Sequence, residues 1–136
     1  MASYTLTTQL AQPYAAAVEA VRAALTEQGF GILTEIDLKA TLKTKLGVDV
    51  APQVILGACR PALAHEAITA EPSIAAVLPC NIVVRAVDEA TTIVEALDPD
   101  AMMGLADDPA LHSVAADAKQ RITAALESLD SSEGDN

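Results

Sequence analysis

The sequence predicts an α+β two-layer sandwich, with a mainly antiparallel sheet of about five strands and its helices on one face. Three observations carry this expectation. Stretches with apolar residues at every second position alternate along the chain with stretches whose apolar residues recur at helical spacing. The last two strand-like stretches, Cys80 to Ala86 and Thr91 to Leu97, are joined by Asp88-Glu89-Ala90. That connection is too short for the crossover a parallel pair needs, so the two read as a hairpin. Finally, 136 residues with 51% apolar composition make one ordinary domain with a real core.

Taken in order, Tyr4, Leu6, Thr8 and Leu10 alternate with polar neighbours and read as a half-buried strand. Pro13 opens a helix, where its missing N–H costs nothing, and Gly29 stops it. Tyr14, Val18, Val21 and Leu25 form its apolar stripe. A second strand is expected from Phe30 to about Ile36. Asp37 then caps a short helix that runs through Leu46 and closes at Gly47. Gln53 to Cys59 form an apolar strand between Pro52 and Pro61, and Pro61 begins a helix to about Ala70. Pro79 marks the entry to the hairpin. Asp108-Pro109 combines an N-cap with proline at the first helical position. Leu111, Val114, Ala118, Ile122, Ala125 and Leu129 continue that last helix. The reading gives one domain over 1–129 and a flexible acidic tail over 130–136.

Composition excludes several functions. Aromatics are 2% with no tryptophan, so the core is aliphatic. The net charge is −11, from eight basic and nineteen acidic residues. Such a chain repels polyanions at long range, so neither nucleic acid nor an anionic membrane is an expected partner. The first residues carry no basic region followed by an apolar stretch, and the longest mostly apolar run, Ile74 to Val84, is too short to span a bilayer. The expected location is cytoplasmic, where the two cysteines would be free thiols.

The stretch from Gly29 to Leu38 is followed by Thr41-Leu42, Lys45-Leu46-Gly47, Ile55-Leu56-Gly57-Ala58-Cys59, Pro61 and Leu78-Pro79-Cys80-Asn81-Ile82-Val83-Val84. In that order and spacing, over nearly the whole chain, they resemble the bacterial and archaeal family of the domain of unknown function 302. The resemblance implies a fold like that of the TATA-binding protein, a likeness of fold alone that says nothing about DNA. It brings no catalytic residues with it. Arg60 departs from the pattern, where the family is expected to carry Asn more often.

Four neighbourhoods have chemical potential. Cys59 ends a strand just before the helix at Pro61, where the helix dipole and Arg60 would lower its pKa. Cys80, 80 − 59 = 21 residues later, is far enough along to converge with it. Together they read as a redox or sulfur-transfer pair, or as two small buried hydrophobes. Glu35 shares a strand face with Leu33 by alternation, as a buried acid/base or as a solvated edge carboxylate. His65, six residues after Cys59, would complete a three-ligand metal set with the two thiols, or is simply solvated; His112 lies far off on the last helix. Lys39, Lys43 and Lys45 form a stripe for an anion or an acidic partner, or a wet helix face. No phosphate loop, nucleophile elbow, zinc helix or dinucleotide fingerprint occurs, and no cofactor is called for. The expectation is a self-associating, homodimeric interaction module or small-ligand-binding module. The alternatives are thiol chemistry at Cys59 and Cys80, and a metal- or cofactor-binding protein.

Overall fold

A computed structural model of the chain describes residues 3–103 and 108–134. Five strands, β1 (Thr5–Leu10), β2 (Gly31–Asp37), β3 (Gln53–Cys59), β4 (Cys80–Asp88) and β5 (Thr91–Leu97), form one sheet in the order β1-β5-β4-β3-β2. Every neighbouring pair is antiparallel. The helices are α1 (Tyr14–Glu27), α2 (Leu38–Leu46), α3 (Pro61–Ala70), α4 (Pro99–Met103) and α5 (Leu111–Gly134), with a 3-10 turn over Pro72–Val77. β1 and β2 are the two edges, so α1 carries the chain from one side of the sheet to the other. The α+β two-layer architecture is the one the periodicities predict.

Register explains which face is buried. Ile82 lies opposite both Leu56 and Ala96, and Val84 lies opposite both Val54 and Val94. All six point to the helix side and are at most 4% exposed. α1 supplies Ala17, Val21 and Leu25 to this core, and α5 supplies Ile122, Ala125 and Leu129. Their spacing places each set on one stripe of its helix. Thr92 is also fully buried, and its hydroxyl donates to the Gln12 carbonyl at 2.9 Å. A smaller cluster of Ala67, Ile74 and Leu111 forms around α3, the 3-10 turn and the start of α5.

Several boundaries fall where expected. Asp37 caps α2 by accepting from the Ala40 N–H at 2.9 Å, and Gly47 ends it at φ 70°. Three differences have local causes. Asp108-Pro109 does not begin α5. The Asp108 side chain accepts from Ala110 and its carbonyl from Leu111, which makes a turn, and the helix starts at Leu111. The 3-10 turn and α4 were not anticipated, because elements of six and five residues are too short to show a period. Glu71 and Asp98 side chains accept from Ser73 and Asp100 N–H groups at their starts. Lastly, α5 remains helical through Gly134, into the stretch read as a loose tail; residues 135 and 136 lie outside the described residues. Among the described residues no helix is long and apolar enough to cross a membrane.

Candidate functional site

Where β3 stops and β4 starts, the main core and the smaller cluster meet without filling the space between them. The result is an apolar cavity of about 50 Å³. Phe30, Ala58 and Cys80 line it from the sheet side, Leu63 and Ala64 from α3, and Leu111 and Val114 from α5. Met102 of α4 and Ile74 of the 3-10 turn contribute further wall, and no polar surface faces the space. Lys119 on α5 ties α4 in place, with its ammonium 2.6 Å from Asp100 and 3.4 Å from Asp98.

Both cysteines lie on this wall. Cys80 stands directly across the β3–β4 ladder from Ala58, the neighbour of Cys59. They are free thiols, Cys80 buried and Cys59 partly accessible. Their electrostatics differ from the sequence expectation. Burial pushes the Cys59 thiol up, and burial followed by the proximity of Cys59 pushes Cys80 up. The Arg60 guanidinium does not offset this, because it is engaged with Asp117 of α5 at 2.7 Å. Asp117 also holds Arg121 one turn further on, at 3.2 Å. Arg60 is therefore a tie between the end of β3 and α5 rather than an activator of the thiol.

This yields a prediction. Iodoacetamide labels Cys59 faster than Cys80 on native protein, because Cys59 is the more accessible. The pH midpoint for Cys59 lies above the free-cysteine value of about 8.5, and Arg60→Ala leaves it nearly unmoved. A midpoint below the free value, lost in Arg60→Ala, would restore the activated-thiolate reading. Linkage runs the same way. The unfolded chain ionises its thiols first, so these groups lower stability as pH rises past the ordinary thiol range and do not affect it below.

The other candidates are not brought to this cavity. His65 and His112 are exposed on α3 and α5. Among the described residues no three His, Cys, Asp or Glu side chains gather as a metal set, so His65 does not join the thiols. Glu35 is on the helix-side face, opposite Leu56, but not in alternation with Leu33. The β2–β3 register slips between Ile32 and Thr34, and the bulge turns Leu33 outward at 63% exposure. Glu35 is half exposed and ion-paired with Arg22 of α1, so it is no isolated acid. It borders a polar cleft with Tyr14, Glu19 and Asp37. There, burial first and then Asp37 push the Tyr14 hydroxyl up. Two of the three lysines serve their own loop. The Lys39 ammonium donates to the Val50 carbonyl at 2.8 Å, and Lys43 pairs with Asp49 at 3.3 Å. Lys45 follows on the same helix, which buries no residue.

Sequence reasoning missed two features. Met102 sits on a helix too short to show a period, so its place on the cavity wall had no signal. The open sheet face carries a network in which Arg85 and the Thr5 and Thr7 hydroxyls all donate to Glu95. The hydrogen bond from Arg85 is the main reason that the Glu95 carboxyl sits below its usual range.

Comparison with known proteins agrees with this architecture. The family model described as "Domain of unknown function DUF302" matches residues 5–129. A crystal structure of an uncharacterized conserved DUF302 protein from Bacillus stearothermophilus is similar at 30% identity and a TM-score of 0.84, covering 93% of this chain and 98% of that one. No curated protein matches.

Proposed function

The chain belongs to the family of the domain of unknown function DUF302, and we propose that it acts as a small-ligand-binding module whose site is the apolar cavity at the ends of β3 and β4. The observation that carries this reading is the cavity itself: about 50 Å³ of space with a wholly apolar wall. Interiors are ordinarily packed so that few voids exceed a water molecule. A polar cavity of this kind would hold ordered water, whereas an apolar one stays dry and takes apolar guests. Raised thiol pKa values fit a binding role better than nucleophilic catalysis, which needs thiolate.

The test uses xenon, an uncharged monatomic probe small enough for a space of about 50 Å³, in an isotope-edited NMR titration. Expected are saturable shifts confined to methyls of Leu63, Leu111 and Val114. Ala64→Leu fills the space, abolishing those shifts while changing stability by less than about 1 kcal/mol. Shifts that persist in Ala64→Leu, or a strong destabilisation by it, would count against an accessible cavity.

Self-association is the second reading, favoured by one specific surface. β2 is an edge strand without proline or lysine, blunted only by its bulge at Leu33 and by Glu35 and Asp37. Leu33 and Ile36, both on it, are 63% and 45% exposed. Pairing of two β2 edges would make a homodimer and cover these side chains. Light scattering at micromolar concentration is expected to give twice the 14.0 kDa chain mass, falling to the monomer in Ile36→Lys. A monomer mass for the unaltered chain removes this reading.

A further inference from the structure

Three sulfur-bearing side chains, Cys59, Cys80 and Met102, share the wall of the apolar cavity. We infer that they form a binding site for a soft monovalent d10 metal ion, the chemical class of Cu(I). This deepens the proposed function and rests on its premise that the cavity admits a ligand.

The donor set decides the class of ion. Thiol and thioether sulfur are soft ligands that select Cu(I) over hard cations. Mg²⁺ and Ca²⁺ need several oxygen ligands, and no polar surface faces this cavity. Zn²⁺ is ordinarily four-coordinate with nitrogen or thiolate donors. No third His, Cys, Asp or Glu joins the two cysteines among the described residues. A monovalent d10 ion is satisfied by two or three sulfurs, which is what the wall offers.

The backbone brings the thiols together without any C-x-x-C spacing. β3 ends at Cys59 and β4 begins at Cys80, and Ala58 lies directly opposite Cys80. The cysteines are thus one ladder step apart at the same end of the sheet, where opposed backbones run about 5 Å apart. Strict alternation would turn them to opposite faces. Cys59 lies one residue beyond the last β3–β4 pair, Ala58–Cys80, and is paired only with Gly31 of β2; the cavity wall includes both cysteines. The effect of Cys59 on the ionisation of Cys80 fits this proximity. Met102 comes from α4, held by Lys119. Cys59 is partly accessible and Cys80 is buried.

Binding involves no change of oxidation state. The ion forms two metal–sulfur bonds, the two S–H bonds break, and two protons pass to solvent; the Met102 thioether adds a neutral third bond. The product carries one net negative charge; Arg60 on the same wall is already paired with Asp117. Because the bound form holds deprotonated sulfur, binding competes with protons and affinity rises with pH.

The experiment titrates the reduced full chain, without oxygen, with Cu(I) buffered by bicinchoninate, and repeats it with Ag(I) as a redox-inert probe. Expected is one ion per chain with two protons released. Cys59→Ser and Cys80→Ser each weaken binding by at least about 100-fold and Met102→Leu by about 10-fold, while His65→Ala has no effect. X-ray absorption of the copper-loaded unaltered chain, which needs no variant to fold, should show a first shell of sulfur alone. A shell dominated by nitrogen or oxygen overturns the proposal. So does equal affinity in the unaltered chain and the Cys59→Ser/Cys80→Ser double variant. Failure to take up either ion while xenon still binds rejects the metal site and leaves the cavity standing. Failure of both probes rejects the site together with the cavity reading.

Discussion

Replacing Gly57 by alanine is expected to destabilise the domain by about 3 kcal/mol, the upper part of the range for overpacking a filled site. Gly57 is buried in β3, between β4 and edge strand β2. Its register partners are Thr34 on β2 and Asn81 on β4. A Cβ at this position would collide with the Thr34 hydroxyl and stand 2.8 Å from Cγ of Pro79. Thr34 is β-branched and stiff at χ1, and the proline ring cannot rotate away. Relief therefore needs a shift of backbone at the end of the sheet that bears Cys59 and Cys80. Alanine also restricts the unfolded chain, which returns about 0.4–1 kcal/mol and is already within the net figure. Thr34→Ala removes the nearest obstruction, so the Gly57→Ala/Thr34→Ala pair should recover about 1 kcal/mol or more relative to additivity. Urea midpoints at unchanged m-value measure both effects. A Gly57→Ala midpoint within error of the unaltered chain would mean that the sheet opens here at little cost.

Gly57 also shows what sequence can and cannot carry. A glycine inside an apolar strand signals close approach by something, but not that the neighbour is Thr34, which a bulge at Leu33 brings into register. That bulge also misdirects the reading of Glu35. Alternation counted without it puts Leu33 on the face of Glu35, whereas the extra residue turns Leu33 out to solvent and leaves Glu35 facing Arg22. The longer elements were legible where they announce themselves locally: β3, α2 and α3 are bounded by Pro52, Asp37, Gly47 and Pro61, whereas the similar Asp108-Pro109 makes a turn ahead of α5.

The site was legible only in part. Cys59 and Cys80 stood out by residue type, and the hairpin placed Cys80 at a strand start. Their environment was not readable, because Arg60 beside Cys59 is paired with Asp117, 57 residues away on α5. Local charge adjacency therefore predicted the wrong direction for the thiol pKa. The cavity arises from how α3, α4 and α5 pack over the sheet end, and no local pattern records that a space is left unfilled.

Leu111→Ala is expected to cost about 2–5 kcal/mol and, in the same protein, to enlarge the ligand site. Leu111 is 2% exposed, belongs to the smaller apolar cluster with Ala67 and Ile74, and lines the cavity. Removing its isobutyl group forfeits both transfer free energy and dispersion contacts. Because void already adjoins it, the new space merges with the old instead of closing over. The wall left behind is still aliphatic, so water gains no partners there and the space stays dry. A nonpolar guest then supplies the missing contacts. At ten times its Kd, benzene should return about 1.4 kcal/mol through preferential binding to the folded chain, raising the thermal midpoint of Leu111→Ala more than that of the unaltered protein. Ala64→Leu, which occupies the same space from α3, should show no benzene-dependent rise. The outcome that would defeat this account is a loss below about 1 kcal/mol with no ligand-dependent recovery. That result would mean that the first turn of α5 collapses onto α3 and the cavity does not persist in solution.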